Sequence, residues 1–572
     1  MRTYLLASLL GLSIPVAALA EEWFVEARYP DAHALQLAGG QFQHLDIDPV
    51  RRTFRVDTDE DGIRFLRDMG MDVQIDMAAT ARLRAFYAAS DSISSIPGYS
   101  CYRTVEETYA SIDDMVLARP DLASVSEIGP TWERAQSASS GYMMKALRLT
   151  NMTTAASDPD RPRLVLFGSI HAREYTPAEL LTRFSEWLVG GYGTHAQATW
   201  LLDHVDFRLI LQANPDGRKK AETGQYWRKN TNTSNGTCGS GSPGIDLNRN
   251  FPFHWNGTSG IGSSGSACNE TYRGPSSASE HETRNLVTYV AGTADAKGVY
   301  AGGALPDRKP DDVTVAAPDD YAGLFFDIHS YSQLVVWPWG DTRDPTENGL
   351  AMQTLGRRLA GYNEYLPAQS SDPNYLYTTD GTTTDTIYGL LGAPSFTIEL
   401  GTSFFESCAN FTADTLPKNL AALKYAARVA RAPYQLPLGP DSRDLALDRI
   451  VVEAGEPVEI SAIIDDTRYS SLNGTQQVFD IQSAQAFVDR APWEIGALSQ
   501  SLVAMDGAFD SPVEAVSGTI STTGLEPGRH IVYVQGKNAS GAGDTKGAVD
   551  AIFLDIVADD TIFENGFEDG VR

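Results

Sequence analysis

The sequence predicts an α/β protein whose central unit is a mixed, mostly parallel twisted sheet flanked by helices. A small α/β unit precedes it in the chain, and a β-sandwich-like unit follows it. From about Tyr99 to Ala432, short apolar runs alternate with amphipathic helical stretches. Runs of this kind are typical of strands that helices cover on both faces. The four runs are residues 164–167, 207–211, 324–328 and 395–398.

The N-terminal unit, residues 21–95 with its linker, has a small α/β pattern. Phe54–Val56 resembles a strand, and apolar residues at helical spacing precede Gly70, which is expected to end that helix. Residues 88–98 are small and polar, which indicates an exposed linker open to proteolysis. We expect a propeptide that an activating protease removes; a permanent accessory domain is the alternative. The central unit then covers residues 96–433.

Beyond the proline-rich boundary at residues 433–440, the pattern changes to strands and turns. One stretch alternates apolar and polar residues, with one face formed by Val458, Ile460, Ala462 and Ile464. This alternation predicts a β-sandwich-like domain over residues 434–558. Residues 559–572 form an acidic, aromatic tail to which no function is assigned.

The first 20 residues predict a signal peptide. Arg2 precedes a short apolar run, Leu5–Val16, and Ala18-Leu19-Ala20 is a cleavage site that leaves Glu21 first. A membrane anchor would need about 20 apolar residues, which this run lacks. No later run is long enough either, so we expect a secreted or periplasmic protein.

Net charge argues against one class of function, and the cysteine content predicts disulfides. The formal net charge of −29 argues against nucleic-acid binding, because the phosphate backbone would repel the protein. Four cysteines in an exported chain predict two disulfides. They permit three pairings, and spacing alone does not choose among them.

Candidate metal ligands follow three of the predicted strands. His171 comes soon after the first strand, His329 directly follows the third, and Glu399 directly follows the fourth. Open α/β sheets bind ligands beyond the carboxyl ends of their strands. A single histidine is more often an ordinary core or surface residue. Together with Glu174, however, the two histidines form the open His₂Glu set of catalytic zinc, and one Zn²⁺ is expected.

Further motifs follow in a fixed order along the chain. They are His171-Ala172-Arg173-Glu174, Tyr226-Trp227-Arg228-Lys229, Gly244–Phe251, His329–Leu334, and a segment from Tyr377 through Gly381, Asp385 and Tyr388 to Leu400. At these residues the chain resembles the zinc carboxypeptidases of the pancreatic A and B type, over about Tyr99 to Val429. The resemblance implies that family's fold and the hydrolysis of the C-terminal peptide bond of peptides and proteins.

The resemblance also implies the role of each site residue. Glu399 would be the general base that takes a proton from the zinc-bound water. Arg228 would stabilise the oxyanion. Asn248 and Arg249 would bind the terminal carboxylate of the substrate. Two tyrosines and a threonine would complete the substrate site: Tyr377 as its cover, Tyr331 in the cleft and Thr384 at the floor of the side-chain pocket.

The expected side-chain preference depends on that pocket. The family places an acidic residue at the position of Thr384 when it prefers basic C-terminal residues. Val336, Leu376 and Gly340 also fall at pocket positions, so an apolar or broad preference is expected. Asp372 maps near the same pocket and acts against this expectation, because its negative charge would attract a C-terminal Lys or Arg. The resemblance further implies a Cys238–Cys268 disulfide, and with it a Cys101–Cys408 disulfide.

The expected partners are a peptide or protein substrate with a free C-terminus and an activating protease; the expected oligomeric state is a monomer. Two other functions stay open at this point. One is a zinc amidase that acts on cell-wall peptides or acyl-amino acids. The other is an inactive homologue that binds peptides.

Overall fold

The computed structural model describes residues 23–557, apart from positions 32–33, 36, 39–41, 43–45, 49–50, 59, 78–79, 81–94, 237, 239–241, 311–313 and 541–544. The signal peptide at residues 1–20, most of the 88–98 linker and the 559–572 tail therefore lie outside the described residues, and the expectations about them stay predictions.

Within the described residues, the N-terminal unit is an antiparallel sheet of four strands in the order β2-β3-β1-β4 and includes the helix Glu60–Asp68. Val25, Phe54 and Leu66 lie in its small core. Gly70 has a φ of +78°, a conformation that glycine adopts easily and that ends the helix as predicted. The elements are β1 Trp23–Arg28, β2 Asp46–Asp48, β3 Thr53–Thr58, α1 Glu60–Asp68 and β4 Asp72–Ile75.

The central unit contains ten strands and eleven α-helices among its described residues. Its strands are β5 Ala123–Pro130, β6 Met143–Leu149, β7 Arg163–Gly168, β8 Asp206–Ile210, β9 Gly292–Ala294, β10 Tyr300–Gly302, β11 Leu324–Ser330, β12 Leu334–Trp337, β13 Leu366–Gln369 and β14 Ser395–Leu400. Its helices are α2 Val105–Ala118, α3 Trp132–Gln136, α4 Met152–Ser157, α5 Thr176–Gly191, α6 Ala196–His204, α7 Pro215–Ala221, α8 His281–Ala291, α9 Gly349–Asn363, α10 Thr383–Leu391, α11 Cys408–Asn410 and α12 Leu416–Val429.

Eight of these strands form one mixed sheet in the order β13-β12-β14-β11-β7-β8-β6-β5. The four apolar runs of the sequence are its central strands β14, β11, β7 and β8, which pair in parallel. Helices cover the sheet, and α2 begins with a capping box between Thr104 and Glu107. This arrangement confirms the predicted fold class and brings the carboxyl ends of the parallel strands to one edge.

The C-terminal region is a sheet of eight strands in the order β15-β17-β20-β19-β18-β21-β22-β16. The strands are β15 Asp441–Leu447, β16 Val451–Glu453, β17 Val458–Asp465, β18 Ile481–Val488, β19 Ser499–Ala504, β20 Val513–Ile520, β21 Gly528–Asn538 and β22 Asp550–Val557. Strands from both ends of this order bury side chains in one cluster, so the sheet folds over on itself. The alternating residues of β17 face this core, as their spacing predicts.

Two disulfides join distant segments of the central unit. Cys101 pairs with Cys408, and Cys238 pairs with Cys268, as the resemblance implies. Within the described ranges, no helix combines the length and the apolar character that crossing a membrane requires.

Candidate active site

The three predicted metal ligands meet where the central strands end. His171 follows β7, Glu174 lies just before α5, and His329 is near the end of β11. β7 and β11 are neighbours, with Gly168 opposite Ile328. Each of the three side chains is buried and offers one ligand atom, and these atoms lie within 4.8 Å of one another.

The donor atoms of the three side chains converge. The Nδ1 atoms of His171 and His329 are 3.0 Å apart. Glu174 Oε1 lies 2.7 Å from His171 Nδ1, and its Oε2 lies 3.1 Å from His329 Nδ1. Two imidazole nitrogens and one carboxylate that face a common buried point match the donor set of catalytic zinc. The residues therefore fit the implied metal.

Two more carboxylates contact the outer nitrogens of these histidines, and neither belongs to the predicted site residues. Asp246 Oδ1 is 3.2 Å from His171 Nε2, and Asp327 Oδ2 is 2.9 Å from His329 Nε2. Such contacts orient a ligand imidazole and set which nitrogen carries the proton. Asp327 could have been found, because it lies two residues before His329 and so on the same strand face. Asp246 lies 75 residues from His171 in the sequence, and only the folding of the chain brings the two side chains together.

Burial and charge interactions shift the pKa values of these three side chains in different directions. Burial alone would raise the pKa of Glu174, but the two imidazoles lower it well below its ordinary value. Burial would lower the pKa of His329, but Asp327 and Glu174 outweigh burial and raise it. The pKa of His171 is lowered by burial and by the nearby guanidinium of Arg228. Glu174 therefore stays ionised, as a metal ligand must.

Glu399 lies beside the metal ligands. It is in β14, directly opposite His329 in the parallel pairing of β14 with β11. Burial raises the pKa of Glu399 to about 8; Glu174 adds to this rise, and His329 opposes it. A carboxylate whose pKa lies near the working pH is suited to both accepting and returning a proton.

Two buried guanidinium groups border the same space. Arg228 Nη2 donates to Asp246 Oδ2 at 2.6 Å, while Nε and Nη1 of Arg228 have no hydrogen-bond partner within the described part of the chain. Arg249 donates from Nε and Nη1 to the backbone oxygens of Gly262 and Asn248, and its Nη2 likewise finds no partner there. Buried donors without acceptors are costly, so these nitrogens suit an anionic ligand.

Asn248 connects the metal ligands to α10. Its Nδ2 is 3.3 Å from His329 Nε2, and its Oδ1 accepts from the backbone nitrogen of Thr383 at 2.9 Å. Thr383 also donates from its hydroxyl to Asp327 at 2.6 Å. The asparagine that is predicted to bind the substrate's carboxylate is therefore held beside the candidate metal ligand His329.

The two predicted tyrosines lie in different surroundings. Tyr377 is buried, and burial raises its pKa while the guanidinium of Arg249 opposes the rise. It also packs into the core of the N-terminal unit. Tyr331 is buried with its ring edge-to-face on Phe404, 4.8 Å between centroids.

An apolar cluster lies next to Glu399, because Leu334 of β12 pairs opposite it. The members of this pocket cluster are Leu334, Val336, Ala368, Leu366, Tyr375 and Leu376, two of which are predicted pocket positions. Thr384 is buried in the first turn of α10. The N–H of Gly340, another pocket position, donates to both oxygens of Asp385 at 3.1 and 3.0 Å.

Comparison with known proteins agrees with this geometry. Residues 108–411 match the family model described as zinc carboxypeptidase. The chain belongs to the zinc carboxypeptidase family. It is accordingly a metallocarboxypeptidase, a hydrolase of the zinc-dependent type. The N-terminal unit and the C-terminal sheet lie outside the matched residues.

Several relatives show the extent of the match. Carboxypeptidase A1 of Rattus norvegicus is 29% identical over 325 residues, which cover 56% of this chain and 67% of the relative. Carboxypeptidase B of Astacus astacus is 29% identical over 308 residues, 53% of this chain and 87% of the relative. Among solved structures, carboxypeptidase A from Helicoverpa armigera aligns with a TM-score of 0.54 and 22% identity, over 73% of this chain and 98% of that one. This last likeness shows the fold.

Proposed function

We propose that the protein removes C-terminal residues from peptides and proteins that end in a free carboxylate. The observation that supports this most directly is the pair of buried guanidinium groups beside the histidine–glutamate cluster. Arg249 Nη2 and two nitrogens of Arg228 have no acceptor among the residues described. A substrate that carries one carboxylate and develops one oxyanion supplies both groups with acceptors.

The metal would be held by His171, Glu174 and His329. Zinc supplies Lewis acidity there: it polarises the scissile carbonyl and makes a water more acidic. Glu399 accepts a proton from the attacking water and delivers it to the leaving amine. Arg228 donates hydrogen bonds to the carbonyl oxygen as negative charge develops on it.

Substrate binding determines that the enzyme is an exopeptidase. Asn248 and Arg249 hold the terminal carboxylate, since a planar guanidinium suits a planar carboxylate. Tyr377 covers the bound residue and excludes water from it, and Tyr331 lines the cleft. The pocket cluster, with Thr384 rather than an acidic residue near its floor, favours apolar C-terminal side chains.

The protein is also proposed to be exported and made as a zymogen. The signal-peptide pattern and the two disulfides support export. Tyr377, the proposed substrate cover, is buried in the same cluster as Val25 and Phe54 of the N-terminal unit. With this unit in place, the cover is not free to close over a substrate.

Mass spectrometry of peptide digests tests the proposal. The chain, cut within residues 88–98, should shorten unblocked peptides from the C-terminus, and a chelator should abolish this. Glu399→Gln should lower kcat about 10²- to 10⁴-fold with its zinc content unchanged. Glu282→Gln, a change at another buried glutamate outside the site, is the matched control and should keep its activity.

Two results would contradict the proposal. Equal cleavage of C-terminally amidated peptides would indicate an amidase or endopeptidase, because Asn248 and Arg249 would then have no carboxylate to bind. Zinc binding without release of any residue would indicate an inactive peptide-binding homologue.

A further inference from the structure

A loop of the C-terminal sheet lies on the catalytic unit. Residues 466–480 connect β17 to β18, and Asp466 clamps the base of this loop. Asp466 Oδ1 accepts from Arg358 Nη2 of α9 at 2.8 Å, and both side chains are almost fully buried. Asp466 Oδ2 accepts from the backbone nitrogen of Phe479 at 2.8 Å. One carboxylate thus joins both ends of the loop to the catalytic unit.

The middle of the 466–480 loop follows α9 closely. The backbone nitrogen of Ser470 donates to Arg357 O at 2.8 Å, and its hydroxyl donates to Tyr365 O at 3.0 Å. A Cβ at Gly361 would come within 2.8 Å of Tyr469 Cα, so the loop needs glycine there. Arg357 Nη2 then donates to Asn473 O at 2.9 Å. The loop is therefore held along its length up to Asn473.

Asn473 reaches two residues that border the pocket cluster. Its Nδ2 donates to Pro367 O at 3.0 Å and lies 3.4 Å from Asp372 Oδ2. Pro367 precedes Ala368 of the pocket cluster. The other oxygen of Asp372, Oδ1, accepts from the backbone and side-chain nitrogens of Asn374, each at 3.0 Å. Both oxygens of the Asp372 carboxylate are therefore occupied by neutral amide donors.

Asp372 is well placed to influence which substrates bind. Its backbone oxygen accepts from the nitrogen of Leu376 at 2.8 Å, and Leu376 packs on the pocket cluster and precedes the proposed cover, Tyr377. A carboxylate here attracts the ammonium of a C-terminal lysine or the guanidinium of an arginine. Asp372 also borders a cavity of about 480 Å³, which Asn473, Gln369 and Arg343 line with it.

We propose that Asn473, supplied by the C-terminal domain, is a specificity-determining residue: it holds the Asp372 carboxylate against the 466–480 loop, so that the pocket selects apolar over basic C-terminal side chains. This inference rests on the proposed carboxypeptidase function. It gives the C-terminal domain a role in substrate selection, because that domain contributes the donor that restrains a carboxylate of the catalytic unit.

The test is a ratio of kcat/KM values for two peptides that differ only in a C-terminal Lys or Leu. Asn473→Ala should raise the Lys-to-Leu ratio about tenfold, roughly the effect of one additional charge-assisted contact. The Leu peptide itself should be cleaved within about twofold of the wild-type rate. Leu472→Ala changes a neighbouring exposed side chain of the same loop and should leave the ratio unchanged.

A double variant separates the proposed cause from general loosening of the loop. Combining Asn473→Ala with Asp372→Asn should return the ratio to that of Asp372→Asn alone, because the released carboxylate is gone. An unchanged ratio in Asn473→Ala, or an equal rise in the Asp372→Asn background, would overturn the inference. An active wild type with such a result would leave the proposed function standing, whereas a wild type that releases no residue from either peptide would contradict that function.

Discussion

At the scale of single residues, two fully buried carboxylates show how the partner of a charge decides its pKa. Asp246 accepts from Arg228 and lies against His171, and these groups hold its pKa far below the ordinary value although burial opposes them. Among the described residues, the hydrogen-bond donors to Glu282 are neutral: the backbone nitrogen of Trp132 and the amide of Asn230. Burial raises the pKa of Glu282 to about 8. Neutral hydrogen bonds therefore do not offset the cost of burying a charge.

The raised pKa of Glu282 predicts a specific dependence of stability on pH. Between its usual pKa of about 4.3 and its folded value of about 8, the folded protein binds this proton more tightly than the unfolded chain. The stabilising contribution is complete below the unfolded pKa and is lost as pH rises through the folded pKa. Glu282→Gln should therefore show a smaller fall in Tm from pH 5 to pH 8.5 than the wild type, measured by circular dichroism.

The exposed glutamate variant Glu127→Gln is the control for this measurement and should follow the wild type. If Glu282→Gln and the wild type lose the same Tm over that range, Glu282 does not carry the raised pKa.

At the scale of elements, the disulfides stabilise the segments around the site to different degrees. Cys101–Cys408 joins the segment before α2 to the chain after β14, across 307 residues of sequence. Cys238–Cys268 spans 30 residues and encloses the segment that carries Asn248. A longer closed loop restricts the unfolded chain more, so the first bond is expected to contribute more to stability.

Replacing each pair by serines tests this expectation. Loss of Cys101–Cys408 should lower the free energy of unfolding by about 2 kcal/mol more than loss of Cys238–Cys268, as the loop-closure entropy of the two lengths predicts. Denaturant titration of the two double variants measures the difference. A larger loss for the shorter loop would mean that local contacts, rather than chain entropy, set the contributions.

At the scale of the whole molecule, the two flanking units contact the catalytic unit differently. The C-terminal domain shares its core: Phe487, Tyr533 and Val549 belong to the same buried cluster as the central strands. Arg428 of α12 also donates to Val549 O at 2.7 Å. The N-terminal unit has its own cluster, which Tyr377 joins from the catalytic unit. The C-terminal domain therefore packs into the core of the catalytic unit, whereas the N-terminal unit has a core of its own that Tyr377 joins.

The proposed role of the N-terminal unit as a propeptide predicts activation by proteolysis. A site-specific cut within residues 88–98 should raise kcat/KM at least about tenfold, an energetic difference of about 1.4 kcal/mol in access to the site. Peptide hydrolysis is measured on chain beginning at Glu21, before and after the cut. The site-specific cut requires a protease recognition sequence inserted within residues 88–98. Chain that carries this insertion but is not treated with the protease is the control. Equal rates before and after cutting would refute the zymogen proposal.

Much of the fold was predictable because it depends on local pattern. The four apolar runs became adjacent parallel strands, and the spacing of Val458, Ile460 and Ala462 identified the inner face of β17. Side-chain periodicity determines each of these features, since it specifies which face of an element is buried.

The partners of the site residues were less predictable, because they come from distant parts of the chain. The sequence motif included Asp246 but not its contact with His171, which are 75 residues apart. The contact of Asn473 with Asp372 joins two domains across 101 residues. Local patterns carry no information about such pairings.

The sequence by itself therefore determined the candidate metal ligands, the strands that deliver them and the family to which they point, since these depend on residue type and short spacing. Only the tertiary structure decided that Asp246 and Asp327 orient the two histidines, that the N-terminal unit buries Tyr377, and that the C-terminal domain reaches Asp372. The physical reason is that hydrogen bonds and burial act through distance in space, and the packing of the sheet and its flanking domains sets that distance.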